Sequence, residues 1–246
     1  MSPARFDGTP VQPVVRRLNA LRSLSAAAAE ALDRALRERM RCADAGHDLV
    51  SEGDRPERIR VVLSGWLCRY KTLEDGRRQI VNFVLPGDIC DSFVYLLPQL
   101  DHSIGTLTPV VYSEIDRTQF EGLVATDRSL AEALWCETLS DISIQREWAV
   151  NIGRRVALER VAHLLCEIVE RLRPIGLWSG KSCPFPVTQM DMADATGLSV
   201  VHLNRTLQEL RANGLIVLRD RMLMINDLDA LQDTALFNPS YLHYAR

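Results

Sequence analysis

The side chains best suited to recognition chemistry lie in one stretch, residues 188–211, TQMDMADATGLSVVHLNRTLQELR. The stretch predicts two short helices joined by a tight turn. Thr188 and Asp191, three residues apart, can each satisfy free backbone donors at the first helix N-terminus. Met192 and Ala193 give that helix a small apolar face. Gly197 falls where the turn needs a positive φ, which glycine adopts at little cost. Ser199 then caps a second helix. Leu203, Leu207 and Leu210 follow at i, i+4 and i+7 and form one buried stripe. Val200, Val201, His202, Asn204, Arg205, Gln208 and Arg211 are left off it. Such a mixed polar and apolar surface can meet base edges and phosphates.

Two amphipathic helices also occur in domains that never touch nucleic acid, so the pair alone leaves both readings open. The residues that follow favour DNA. Asn213-Gly214 ends the second helix, and residues 215–225 (LIVLRDRMLMI) form two β-prone runs around Asp220-Arg221. That pattern predicts a short hairpin, or wing. A helix-turn-helix with a wing is a winged helix, and Arg219 and Arg221 become candidate phosphate contacts. In that reading two 199–211 helices enter successive major grooves about 34 Å apart, one from each half of a homodimer. Arg205 is the candidate guanine contact through O6 and N7. Val200 and Val201 supply apolar contacts, and Asn204 or Gln208 reads an adenine. Thr188, Gln189, Ser199 and His202 hold phosphates near helix N-termini.

Other elements must position these residues. At 246 residues, the chain has room for two domains with separate cores. Residues 1–13, with three prolines, read as a loose tail, and 14–42 read as helical. From about 43 to 120 the pattern changes. Gly53, Gly65, Gly76 and Gly87 recur every 11 or 12 residues, with β-prone runs at 59–63, 66–73 and 79–85 between them. Asp75-Gly76 is a hairpin signal, and 110–115 reads as a closing strand. Short strands on this beat predict an antiparallel sandwich or jelly roll. A helical pattern then runs from Asp127 to about Asn151, with Gly153 as a break. Trp135, Leu139, Ile142, Ala149 and Ile152 trace an apolar seam along it, interrupted by Arg146. Such a seam either forms a coiled-coil dimer contact or packs on its own β domain. The dimer is the favoured reading, because a palindromic site needs a twofold partner. Residues 157–172 form an amphipathic helix, and 174–186 a loop leading to Thr188. The predicted division is a sensor at 14–126, a dimerisation helix at 127–153 and a winged helix at 154–234.

Composition narrows the function classes. Net charge is −3. Up to Gln145 there are 17 basic and 21 acidic residues, and over 146–225 there are 11 and 8. The positive part holds the helix-turn-helix. No apolar run approaches the roughly 20 residues that span a bilayer, and the N-terminal residues contain no secretory h-region. The cytoplasm is therefore the expected compartment, with no membrane partner. The six cysteines (Cys42, Cys68, Cys90, Cys136, Cys166, Cys183) include no C-x-x-C pair, which argues against zinc and iron–sulfur sites. No G-x-S-x-G, P-loop or H-E-x-x-H motif is present, and His47 and His102 are the only histidines between 43 and 120. These absences argue against an enzyme.

The order of parts resembles the Crp–Fnr superfamily of bacterial transcription regulators. The resemblance covers about residues 14–230. It is carried by VVLSGWLCRYKTLEDGRRQIVNFVLPGDI (61–89), RRVALERVAHLL (154–165) and the winged helix-turn-helix. It implies an α+β fold: a β-roll of the cyclic-nucleotide-binding kind, a central dimerisation helix and a winged helix-turn-helix. It also implies a homodimer that binds a palindromic promoter site and contacts RNA polymerase. The cyclic-AMP branch of that family carries a Gly-Glu pair after the PGD turn and an Arg-Ser pair beyond the next loop. Here Pro86-Gly87-Asp88 is followed by Cys90-Asp91-Ser92, with Ser92 at the Glu position, and His102 precedes Ser103 at the Arg position. Imidazole is a poor substitute for a bidentate guanidinium on phosphate, and Asp91 adds repulsion. The pocket of Asp91, Ser92, His102 and Ser103 is therefore a degenerate one. The expectation is no cofactor, no cyclic nucleotide and an unidentified signal, or none. No cysteine precedes Cys42, so the N-terminal iron–sulfur cluster of the oxygen-sensing branch does not carry over. Many members read a G·C pair with a Glu and an Arg four residues apart, where this chain has Val201 and Arg205. Its half-site should differ at that base pair. The alternative function is a ligand-binding sensor that acts on a protein partner through its winged helix.

Overall fold

The structure, a computed structural model, describes residues 12–55, 57–90 and 92–245. Most of the predicted tail, and Asp91, lie outside the described residues. Gln12 and Pro13 already belong to helix α1 (Gln12–Leu21). The stretch predicted as helical to residue 42 divides. Helix α2 (Ala26–Glu38) is capped by Ser25, which accepts from the Ala28 amide, and Met40–Ala43 is strand β1. Pairing of β1 with Val110–Ser113 overrides the local helical pattern.

Seven further strands complete the roll: β2 (Asp48–Val50), β3 (Arg58–Ser64), β4 (Leu67–Thr72), β5 (Arg78–Val84), β6 (Ile89–Cys90), β7 (Ser103–Thr106) and β8 (Val110–Asp116). They form two four-stranded antiparallel sheets, ordered β1-β8-β3-β6 and β2-β7-β4-β5. The regularly spaced glycines mark turns of positive φ. At Gly87 (φ +93) a Cβ would lie 2.7 Å from the Pro13 carbonyl oxygen. Only glycine therefore lets α1 dock this closely.

Helix α3 (Arg117–Thr126) leads into α4 (Arg128–Arg154), whose N-cap Asp127 accepts from the Ser129 and Leu130 amides. Its 27 residues make it about 40 Å long. The expected break at Gly153 falls within one residue of the observed end of α4 at Arg154. At that end Arg160 donates to the carbonyls of Asn151 and Ile152, which the helix terminus leaves without intrahelical partners. Helix α5 (Ala157–Leu172) follows as predicted. The predicted loop at 174–186 contains strand β9 (Ser182–Pro184), the third strand of the wing sheet. Its apolar Cys183 is buried opposite Leu223, and that cross-strand pairing was not legible locally.

The winged domain comprises α6 (Gln189–Thr196), α7 (Val200–Ala212), β10 (Ile216–Arg219), β11 (Met222–Ile225) and α8 (Leu228–Ala235). Its core is continuous with the roll: Trp66, Ile80 and Phe83 join Val161, Leu165 and Ile168. A buried ionic cluster crosses the same boundary. Asp88 pairs with Arg17 from α1 at 2.6 Å and with Arg171 from α5 at 2.7 Å. The C-terminal segment packs against the rest. Ser140 donates to the Leu242 carbonyl, Tyr241 donates to Glu167, and Tyr244 bonds to Arg17. No helix among the described residues is long and apolar enough to cross a membrane.

Candidate nucleic-acid interface and sensor cavity

The helix-turn-helix forms as its local chemistry dictates. Thr188 Oγ1 accepts from the Asp191 amide at 3.1 Å, and Asp191 Oδ2 accepts from the Thr188 amide at 3.2 Å. Gly197 ends α6 at φ +64, the left-handed region that glycine tolerates best. Ser199 caps α7 by accepting from the His202 amide at 3.2 Å. Leu203, Leu207 and Leu210 are buried. The opposite face of α7 presents Val201, His202, Arg205, Gln208 and Arg211 to solvent. Val201 is 76% exposed, a large apolar exposure for a residue at the helix start. Asn204 is half-buried at the edge of that face. Val200 departs from expectation: it is half-buried and packs on the hydrophobic core.

The wing turns at Asp220 and Arg221, both with positive φ (52° and 59°), as a two-residue type I′ hairpin requires. A cleft of about 200 Å³ opens between the wing and the helix pair. Gln189, Arg211, Arg219 and Arg221 surround it. Arg219 pairs with Asp220 at 3.1 Å, both fully at the surface. Thr188, Gln189 and Ser199 are exposed near helix N-termini.

Sequence reasoning did not anticipate how α6 is held. Arg78 of β5 donates to Asp191 at 2.6 Å and to Asp194 at 2.7 Å, and Gln79 donates to the Asp194 carbonyl. The β4–β5 hairpin thus grips the first helix of the winged domain.

An apolar cavity lies between the roll and α4, with a volume of about 630 Å³. Of the predicted pocket residues, Ser92 and His102 line it, while Ser103 instead accepts from the Glu52 amide. Phe93, Leu100 and Trp135 provide apolar walls, and Trp135 stacks on Phe93 at 4.7 Å between ring centroids. Its other polar groups come from positions that the sequence does not single out. Arg69 pairs with Asp141 at 2.9 Å and donates to the Ile89 carbonyl. Lys71 pairs with Glu52 and donates to the Asp101 carbonyl. Glu137 is buried, accepting from Ser92 Oγ at 3.0 Å, with no hydrogen-bond partner on Oε1. Burial, reinforced by Asp141, pushes its carboxyl up to about 8 against the opposing pull of Arg17 and Arg69.

One face of α4 is left uncovered. Trp135, Leu139 and Ile142 are 54%, 57% and 45% exposed, and Ala149 and Ile152 continue the row toward the C-terminal end. Trp135 and Ile142 also line the cavity.

Comparison with known proteins accounts for this architecture. Residues 40–127 match the model of the cyclic nucleotide-binding domain, and 159–234 match that of the Crp-like helix-turn-helix domain. The nitrogen fixation regulation protein FixK of Bradyrhizobium diazoefficiens is 31% identical over 173 residues, 70% of this chain and 72% of that protein. The chain belongs to the Crp–Fnr family of transcription regulators. It is a DNA-binding regulator of transcription, not an enzyme. The transcriptional activator protein FnrL of Cereibacter sphaeroides is 28% identical over 195 residues, 78% of each chain. The structure of FixK2 from Bradyrhizobium japonicum superposes with a TM-score of 0.70 at 25% identity, covering 79% of this chain and 96% of that one.

Within this family fold, several of the cavity's polar groups are already engaged with one another. Ser92 spends its hydroxyl proton on Glu137, and Arg69 and Lys71 are each engaged by carboxylates. Asp101, Glu137 and Asp141 line the same cavity. No three His, Cys, Asp or Glu side chains cluster as metal ligands among the described residues.

Proposed function

We propose that this regulator acts as a homodimer that reads a palindromic promoter site through α7. The sensor is the roll at 14–126, the dimer helix spans 127–153 and the reader spans 154–234. The observation that carries the proposal is the exposed face of α7 beside a basic wing cleft, coupled to an uncovered apolar row on α4. Arg205 contacts guanine, and Val201 meets a thymine methyl where many relatives place a carboxylate. Asn204 or Gln208 reads adenine. Thr188, Gln189, Ser199, His202, Arg219 and Arg221 hold phosphates. Val200 acts through packing, with only its outer edge available to a base. On α4, Trp135, Leu139, Ile142, Ala149 and Ile152 form the seam between protomers. The cavity responds to a signal other than a cyclic nucleotide, and the dimer contacts RNA polymerase in the cytoplasm.

Selection from a pool of random duplexes, using the full chain without effector, tests this reading. The expected product is a twofold-symmetric motif with half-sites one helical turn apart and steep weakening of binding with salt. Failure to enrich any motif, or a motif without symmetry, counts against it. Salt-insensitive capture of a protein partner would instead favour a docking role for the winged helix.

A further inference from the structure

The angle between the dimer helix and the reader must be held by something at the junction. Only Arg155 and Val156 separate α4 from α5. The Arg160 side chain, on the first turn of α5, fills this corner. Its Nε donates to the Asn151 carbonyl at 3.1 Å, and Nη2 donates to the carbonyls of Ile152 at 2.9 Å and Arg155 at 3.0 Å. Its Nη1 donates to the Thr196 carbonyl at 2.8 Å. Asn151 returns a bond from Nδ2 to the Arg160 carbonyl at 3.2 Å.

Three of these acceptors share one property. Asn151 and Ile152 lie in the last turn of α4, and Thr196 is the last residue of α6. They are carbonyls that helix termini leave without partners, at the negative ends of two helix dipoles. One planar guanidinium, with donors in a fixed fork, thereby joins α4, α5 and the turn of the helix-turn-helix. Gly197, next in that turn, would bring a Cβ within 3.8 Å of Arg160 Nη1 and of Ile152.

We propose that Arg160 is a positioning residue for DNA reading: it sets the distance between the two recognition helices by fixing the winged domain on the end of the dimer helix. The inference rests on the dimeric reading above. Helix α7 starts three residues after the Thr196–Gly197 corner and runs for 13 residues. It is therefore about 20 Å long. A rotation of about 10° at the corner displaces its far end by about 3 Å, close to one base-pair step. Arg160 touches no base in this scheme; its effect is on register.

The test uses full-length protein and duplexes carrying two copies of the half-site recovered by selection, with their separation changed one base pair at a time. Wild-type protein should prefer one separation by about tenfold over its neighbours, since a one-step slip takes Arg205 off its guanine in one half-site. Arg160→Ala should flatten that preference to about twofold or less while keeping the dimer mass. Arg160→Lys keeps the charge but cannot serve four carbonyls, so its profile should be intermediate; it decides the matter if the alanine variant does not fold. Arg154→Ala removes an exposed charge at the same corner and should leave the shape of the profile unchanged. Wild-type spacing selectivity in the folded Arg160 variants overturns the inference and shifts the constraint to the Arg78 pairs. A flat profile for the wild type overturns the dimeric reading, and the role of Arg160 with it.

Discussion

Replacing Glu137 by glutamine should stabilise the protein at neutral pH and remove a pH dependence. In the folded chain, burial holds this carboxyl protonated up to about 8, against an ordinary value of 4.5. Folding therefore takes up a proton throughout that window, and stability falls as pH rises through it. Each unit of difference corresponds to about 1.4 kcal/mol. From pH 4.5 to 7 the loss is on the order of 3 kcal/mol. Glutamine keeps an oxygen for Ser92 Oγ and places an uncharged amide where Oε1 has no partner, so it mimics the protonated acid. Urea unfolding followed by far-UV circular dichroism at pH 5, 6, 7 and 8 checks this. Protein concentration must be constant, because self-association shifts apparent stability. The variant should match the wild type near pH 5 and exceed it increasingly toward pH 8. A constant difference between the two proteins across that range refutes the reasoning, since Glu137 would then be ionised in the fold.

Asp88→Asn should destabilise the fold by about 3–5 kcal/mol in the same assay, because it leaves Arg17 and Arg171 buried without their shared counter-charge. Burial pushes the Asp88 carboxyl up, but Arg17 and Arg171 outweigh it and hold the group below its ordinary range. Its contribution is therefore present above about pH 4 and fades as pH drops below that point, and the asparagine variant should lack that acid limb. Leu139→Glu places a charge in the middle of the apolar row on α4 and should yield monomers by analytical ultracentrifugation; an unchanged dimer would remove that face from the interface. Arg205→Ala should relax discrimination at one base pair per half-site by about 1–3 kcal/mol in competition binding, with discrimination elsewhere intact.

The winged helix was legible residue by residue because its signals are local. A cap and its bonded amide lie three residues apart, a glycine sets one dihedral angle, and a leucine stripe repeats within two turns. Thr188 with Asp191, Gly197, Ser199 and the turn at Asp220-Arg221 all act within that range. The strands marked by regularly spaced glycines and the α4 seam follow from the same short periodicities. Errors arose where distant pairing decides. Met40–Ala43 became a strand because β8 offered an edge, and Ser182–Pro184 because β11 did. The cavity between the roll and α4 shows the limit most clearly. Ser92 and His102 were placed by their neighbours in sequence, yet the groups that set its chemistry, Arg69, Glu137 and Asp141, come from β4 and α4 about 70 residues apart. Sequence alone determined that this chain carries a DNA-reading module behind a roll and a long helix, since each is written in patterns of two to twelve residues. Tertiary structure alone decided how the roll and α4 hold the winged domain, through Arg78, Arg160 and the Arg17–Asp88–Arg171 cluster. Ion pairs and buried charges depend on which groups meet in a low-dielectric interior, and no local pattern encodes that meeting.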